Sequence, residues 1–216
     1  MMRVAITQRV EQIAGHGELR DCLDQRWAAL LEELGIDLVA VPNGLAQPQD
    51  WLERQQVAGL ILSGGNDLSH LPGASNASMA RDRTEQALLT LARSRQLPVL
   101  AVCRGMQMLN HFLGGGLRPV SGHVGCMHAV SAIGTDELFA AYSEVNSFHN
   151  WGIARVDLAP GLLARVQADD GSVEAAVHET LPWTGVMWHP ERPSANAEQD
   201  ATLIRHLFSS KDTPCA

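Results

Sequence analysis

A chain of 216 residues with 45% hydrophobic and 19% charged side chains has the make-up of one soluble globular domain, residues 1–216, with room for a sizeable core. Its formal net charge of −8 argues against a broad contact with nucleic acid or an anionic membrane surface, while leaving room for a few arginines to grip one small anion. No run of about 18 apolar residues is present, so no membrane span is expected, and the first residues lack the apolar stretch and cleavage site of a signal peptide.

In chain order, residues 3–7 read as a first strand, followed by a polar segment at 11–18. A helix follows, with a stripe of Leu23, Trp27, Leu30, Leu31 and Leu34 closed by Gly35. Residues 37–41 form a second strand, 49–55 a short helix, and 57–62 a third, nearly all-apolar strand. That strand runs into Ser63-Gly-Gly-Asn-Asp67 and a surface loop to residue 80, after which a helix covers 81–95. Residues 98–102 are a fourth buried strand, then comes a helix stopped by Gly114-Gly-Gly116. Four strand–helix repeats predict a parallel, doubly wound α/β sheet with its site at the carboxyl ends of the strands. Beyond residue 117 the segments shorten, with added strands, some antiparallel, at 117–120, 153–158, 162–167, 173–177 and 185–188. The last helix starts after Pro193 with Leu203, Ile204, Leu207 and Phe208 inward, and a frayed tail is expected from Ser209. Cys22, Cys103, Cys126 and Cys215 are spaced too irregularly for a zinc site or disulfide framework, which points to free thiols in a reducing cytoplasm.

Cys103 stands where the fourth strand becomes a helix, since Met106, Leu109 and Leu113 after it share one helical face. Such a corner exposes its side chain, as in a nucleophile elbow, with Gly105 as the small residue behind it. Unpaired N–H groups and the positive end of the helix dipole favour the anionic form of a thiol there, and can also receive an oxyanion. The bland alternative is a cysteine that only fills space, which is common. What separates the two is a base, and Gly185-Val-Met-Trp-His-Pro-Glu191 offers one. His189 at a strand end can take the thiol proton and return it to a leaving group, and Glu191 can hold its tautomer.

Ser63-Gly-Gly, Cys103-Arg-Gly-Met-Gln107 and Trp188-His-Pro-Glu191, in this order, resemble class I glutamine amidotransferases and the related gamma-glutamyl hydrolases. The resemblance covers nearly the whole chain. It implies a flavodoxin-like three-layer α/β sandwich, with a mostly parallel central sheet and added antiparallel strands. It also implies Cys103 as nucleophile, His189 as base and Glu191 as its orienter. Backbone N–H groups of Gly65 and Arg104 would form the oxyanion hole. Gly64, Asn66, Gln107 and the backbone around Ser147 and Phe148 would hold the glutamyl group. Ala101 and Met187 stand where many relatives carry glycine and a polar residue, but neither removes a reacting group.

Arg81-Asp-Arg-Thr-Glu85, Asn146-Ser-Phe-His149 and Asp170-Gly-Ser-Val-Glu174 look like the free-standing hydrolase branch, and other stretches are similar to a member acting on a nucleotide-linked gamma-glutamyl phosphoramidate in bacterial capsule decoration. A small-molecule gamma-glutamyl substrate is therefore expected, with Arg9, Arg81, Arg83 and Arg104 as cations to test against a pyrophosphate, each of which could equally be a solvated surface residue. The rivals are a general gamma-glutamyl amine hydrolase, a glutaminase subunit serving a partner synthetase, and a catalytically silent binding protein. The sequence leaves a homodimer open. His149 reads as substrate-facing, and His123 and His128 as loop or rim residues. No acidic or thiol partner stands at tight ligand spacing to them, so no metal and no cofactor are expected.

Overall fold

The protein is described by a computed structural model, which covers residues 2–209; Cys215 and the tail expected to fray lie outside the described residues, apart from Ser209 itself. The first half alternates as read from sequence: β1 (Met2–Thr7), a hairpin of β2 (Arg9–Gln12) and β3 (Leu19–Cys22), α1 (Gln25–Glu33), β4 (Ile36–Val41), α2 (Pro48–Gln55), β5 (Gly59–Leu62), α3 (Met79–Arg95), β6 (Val99–Val102) and α4 (Arg104–Phe112). The hairpin replaces the polar segment expected at 11–18. Its strands are polar on both faces and so carry no apolar alternation for a sequence reader to see. Asp24 caps α1 by accepting a hydrogen bond from the Arg26 N–H at 3.0 Å, and Ser78 caps α3 from the Arg81 N–H at 3.3 Å. The α3 cap moves its start two residues ahead of the position read from sequence.

The second half is β7 (Arg118–Pro119), β8 (Val124–Ala132), β9 (Glu144–Phe148), β10 (Trp151–Gly152), a 3₁₀ turn at Arg155–Asp157, β11 (Leu162–Ala168), β12 (Val173–His178), β13 (Trp183–Val186) and α5 (Ala197–Ser209). The strand expected at 153–158 is instead the 3₁₀ turn plus an isolated bridge between Ala154 and Ser172. β13 ends at Val186, so Trp188 and His189 lie past the strand rather than within it.

A nine-stranded sheet runs β4-β1-β5-β6-β13-β12-β11-β8-β9. The five strands from β4 to β13 are mutually parallel, and those from β12 outward pair antiparallel. Side-chain alternation divides the core between the two faces. Leu100 and Val102 of β6 pack with Trp27, Leu31, Ile204 and Phe208 beneath α1 and α5. Val99 and Ala101 pack with Leu52, Leu88, Leu89 and Leu109 beneath α2, α3 and α4. Burial on both faces is why these strands read as unbroken apolar runs. Among the described residues no helix is long and apolar enough to cross a membrane.

Candidate active site

β5, β6 and β13 lie side by side and end at the same edge, so the segments that follow them meet there. Cys103 follows β6 in a conformation that L residues rarely adopt, φ 51° and ψ −110°, which costs roughly 1–3 kcal/mol and persists only because its surroundings fix it. Two features do so. The Cys103 N–H donates to the Val186 carbonyl at 2.8 Å, tying the corner to the strand that delivers His189. A Cβ at Gly105 would lie 2.2 Å from the Leu62 carbonyl oxygen, so only glycine lets α4 seat against β5.

His189 is held from three sides. Its Nδ1 lies 2.8 Å from Glu191 Oε1, its N–H donates to Asn146 Oδ1 at 2.9 Å, and its carbonyl accepts from Asn146 Nδ2 at 3.0 Å. Trp188 before it is anchored by an Nε1–H bond to Asp200 at 2.9 Å, and Asp200 also accepts from the Tyr142 hydroxyl. Burial disfavours the charged imidazolium, but the nearby Cys103 sulfur and the Glu191 carboxylate outweigh it and raise His189 to about 9. Both side chains flank the glycine loop: a Cβ at Gly64 would sit 2.7 Å from the His189 ring and 3.5 Å from Cys103 Cβ. Cys22, Cys103 and Cys126 form no disulfide among the described residues.

The cleft above Cys103 has a volume of about 280 Å³, just below the roughly 300–1,000 Å³ usual for ligand sites. Gly64, Gly65, Asn66, Gln107, Phe148 and His149 all line it. Gln107 is positioned by its Nε2, which donates to the Trp151 carbonyl at 2.8 Å. Ser147, expected at the substrate, is fully buried outside the cleft lining, with its hydroxyl donated to the His123 carbonyl at 2.7 Å. Asn66, expected at the substrate, spends its amide on the protein: Oδ1 accepts from the Val10 N–H at 2.8 Å and Nδ2 donates to the Val10 and Asn76 carbonyls. It clips the β2–β3 hairpin to the glycine loop.

The arginines sort differently from expectation. Arg81 does not reach the cleft. It is fully buried behind the glycine loop, donating to the carbonyls of Ser63, Gly64 and Gly65 and to Glu85. The Arg104 guanidinium turns away as well, pairing with Asp82 and Glu85. Burial pushes Glu85 up, but Arg104, Arg81 and the Thr7 hydroxyl together pull it below the usual carboxylate range. Burial and Arg104 lower Arg81 to about 10, against the pull of Glu85, so it stays charged at neutral pH. Arg83 is exposed on the outside of α3. Arg9 alone of the four presents its guanidinium at the cleft, half-exposed, 2.5 Å from Glu11 and alongside Gly65.

Sequence reading missed two residues here. Arg192 stacks its guanidinium 3.8 Å above the Phe148 ring at the cleft wall, and Phe148 in turn sets its ring edge-on to His189 at 5.6 Å. Asn146 makes both backbone bonds to His189. Its proximity to the histidine is created by the fold and has no local signal. The support beneath His189 thus comes from Asn146, while Met187 is packed in the core.

An α/β sheet of this order, with a strained cysteine at the end of a central parallel strand, is the class I glutamine amidotransferase-like fold. A glutamine amidotransferase from Thermotoga maritima superposes with a TM-score of 0.66 over 98% of this chain and 86% of its own, at 15% identity. The chain belongs to the peptidase C26 family, which matches residues 4–191. It is similar to the gamma-glutamyl-CDP-amidate hydrolase of Campylobacter jejuni, 31% identical over 96% of this chain and 98% of that protein. It is also similar to the gamma-glutamyl-gamma-aminobutyrate hydrolase PuuD of Escherichia coli, 29% identical over 92% and 88% of the two chains.

Proposed function

We propose that this protein is a cysteine-dependent hydrolase that releases glutamate from a gamma-glutamyl amide. The observation that carries the reading is the strained Cys103 corner facing, across Gly64, a His189 that Glu191 and Asn146 hold in place. In this mechanism His189 takes the thiol proton, and the Cys103 sulfur attacks the side-chain carbonyl carbon of the glutamyl group. The oxyanion of the tetrahedral intermediate accepts hydrogen bonds from the Gly65 and Arg104 N–H groups. The His189 imidazolium protonates the leaving nitrogen, the C–N bond breaks, and a glutamyl thioester remains. Water then attacks the thioester with His189 as base, releasing glutamate and the free thiol. Glu191 keeps the imidazole Nδ1 bonded so that Nε2 faces the sulfur. No cofactor takes part.

For the leaving group, the favoured reading is a nucleotide-linked phosphoramidate, as in gamma-glutamyl-CDP-amidate, used in capsule decoration. Support comes from the similarity to the Campylobacter jejuni hydrolase along nearly the whole of both chains, and from Arg9 and Arg192 at the wall of a cleft in an otherwise acidic protein. The experiment is glutamate release from a panel of glutamine, gamma-glutamyl amines and gamma-glutamyl phosphoramidates, with Cys103→Ala as control. Release from the phosphoramidate at the highest kcat/KM is expected. Higher kcat/KM on a gamma-glutamyl amine makes the protein a general hydrolase of such amines, and no release from any of them overturns the assignment.

A further inference from the structure

Beneath the floor of the antiparallel half lies a second polar cluster that the reaction above does not use. Glu174 of β12 is fully buried, and neither carboxylate oxygen has a hydrogen-bond partner among the described residues. A buried carboxylate left in that condition is strongly disfavoured unless a cation faces it. No lysine or arginine pairs with it among the described residues; three imidazoles surround it instead. His123 Nδ1 lies 3.8 Å from Glu174 Oε1, His149 Nε2 lies 3.7 Å from the same oxygen, and His128 Nε2 lies 3.6 Å from Oε2. These separations exceed a hydrogen bond, and all three nitrogens are buried without a partner.

The far nitrogens show which lone pairs point inward. His149 Nδ1 lies 3.1 Å from the Trp151 carbonyl, which only accepts, so Nδ1 carries the proton and Nε2 offers its lone pair to the cluster. His123 Nε2 lies 3.0 Å from Asp170 Oδ2, which leaves Nδ1 as the inward lone pair. A carboxylate behind His123 and a carbonyl behind His149 are the arrangement that orients imidazoles for a metal. A tetrahedral ion with bonds of about 2.0–2.2 Å spaces its donors roughly 3.3–3.6 Å apart, and the histidine–Glu174 separations of 3.6 to 3.8 Å lie at or just above the top of that range. The donor atoms of His123, His128 and Glu174 all lie within 4.8 Å of one another.

We infer that His123, His128 and Glu174, with His149 as the fourth donor from the cleft side, form a binding site for a divalent transition-metal ion, zinc first among them. Three imidazoles and one carboxylate match the borderline-soft preference of that ion, and four protein donors close the coordination shell in the manner of a structural site. The site would pin β8 and β12 to the segment after β9. His123 also accepts from the Ser147 hydroxyl and the His149 N–H through its carbonyl, so the ion would stiffen the wall of the cleft that carries Phe148. The expectation of no metal rested on finding no acid at tight sequence spacing to the histidines; the sheet brings Glu174 to them from a distant strand.

The test is metal content and zinc affinity of the full-length purified protein. After stripping with a chelator and titration with zinc chloride alone, binding of about one equivalent is expected, together with a rise in Tm. Glu174→Gln should bind less than a tenth of an equivalent under the same conditions. If that variant does not fold, His128→Ala, whose side chain is only partly buried, carries the same comparison. Asp170→Asn should weaken zinc binding about 10- to 100-fold while leaving the stoichiometry unchanged. Absence of stoichiometric zinc in the wild type, or equal binding by the Glu174 and His128 variants, overturns the inference. It would leave a protonated histidine as the partner of Glu174. Neither result bears on glutamate release, so the hydrolase reading is tested separately.

Discussion

In the parallel half of the sheet the chemistry sits at strand ends: the glycine loop after β5, Cys103 after β6 and His189 after β13. In the antiparallel half it sits within or beside strands, where β8 and β12 bring His128 and Glu174 together and flanking segments add His123 and His149. The first arrangement tolerates change in the loops, because adjacent parallel strands always deliver their ends to one edge. The second depends on register, since a shift of one residue turns every side chain to the opposite face. The two regions touch through Phe148 and His149, which both line the cleft, while the His149 ring also faces Glu174 in the histidine cluster.

The comparison is sharpened most by Cys103→Ala. Glutamate release should fall by at least about 10⁴-fold, as expected when the nucleophile of a concerted set is removed, while zinc binding stays at the wild-type stoichiometry. Loss of both together would show that the halves are not separable. Next in size is Arg81→Met, which leaves Glu85 with one fewer cation and strips the Ser63, Gly64 and Gly65 carbonyls of their donor. Breaking one side of a buried charge network costs about 3–5 kcal/mol, read as a lowered midpoint of urea denaturation. An unchanged midpoint would mean that the glycine loop supports itself. The smallest effect is expected from Arg9→Ala: KM for a gamma-glutamyl phosphoramidate should rise about tenfold, the worth of one charge-assisted contact, with KM for glutamine unaffected. An equal rise for both substrates would place Arg9 against the glutamyl group rather than the leaving group.

How far the molecule can be read without coordinates follows from the same contrast. The strand–Cys103–helix corner, the glycine loop and the His189–Glu191 pair are local patterns, so their geometry is carried by a few consecutive residues. β8 was missed because it is exposed along most of its length and shows no apolar run. The Arg81 and Arg104 guanidinium groups lie away from the cleft because Glu85 is buried between them, and nothing in the sequence around either arginine signals that pairing. Asn146 and Glu174 owe their roles to partners far away in the chain, His189 for one and three histidines for the other, and no periodicity records such pairings.

The most direct measurement of the central claim, a protonated His189 working with the Cys103 sulfur under the control of Glu191, is the pH dependence of kcat/KM for glutamate release. His189 is raised to about 9, above its ordinary range, so the imidazolium persists through neutral pH and is lost as pH rises through about 9. The wild type should hold its rate to near pH 8 and then fall with a limb near pH 9, and Glu191→Gln should move that limb to lower pH. A limb near pH 6.5 in the wild type, or the same limb in wild type and Glu191→Gln, would contradict the account.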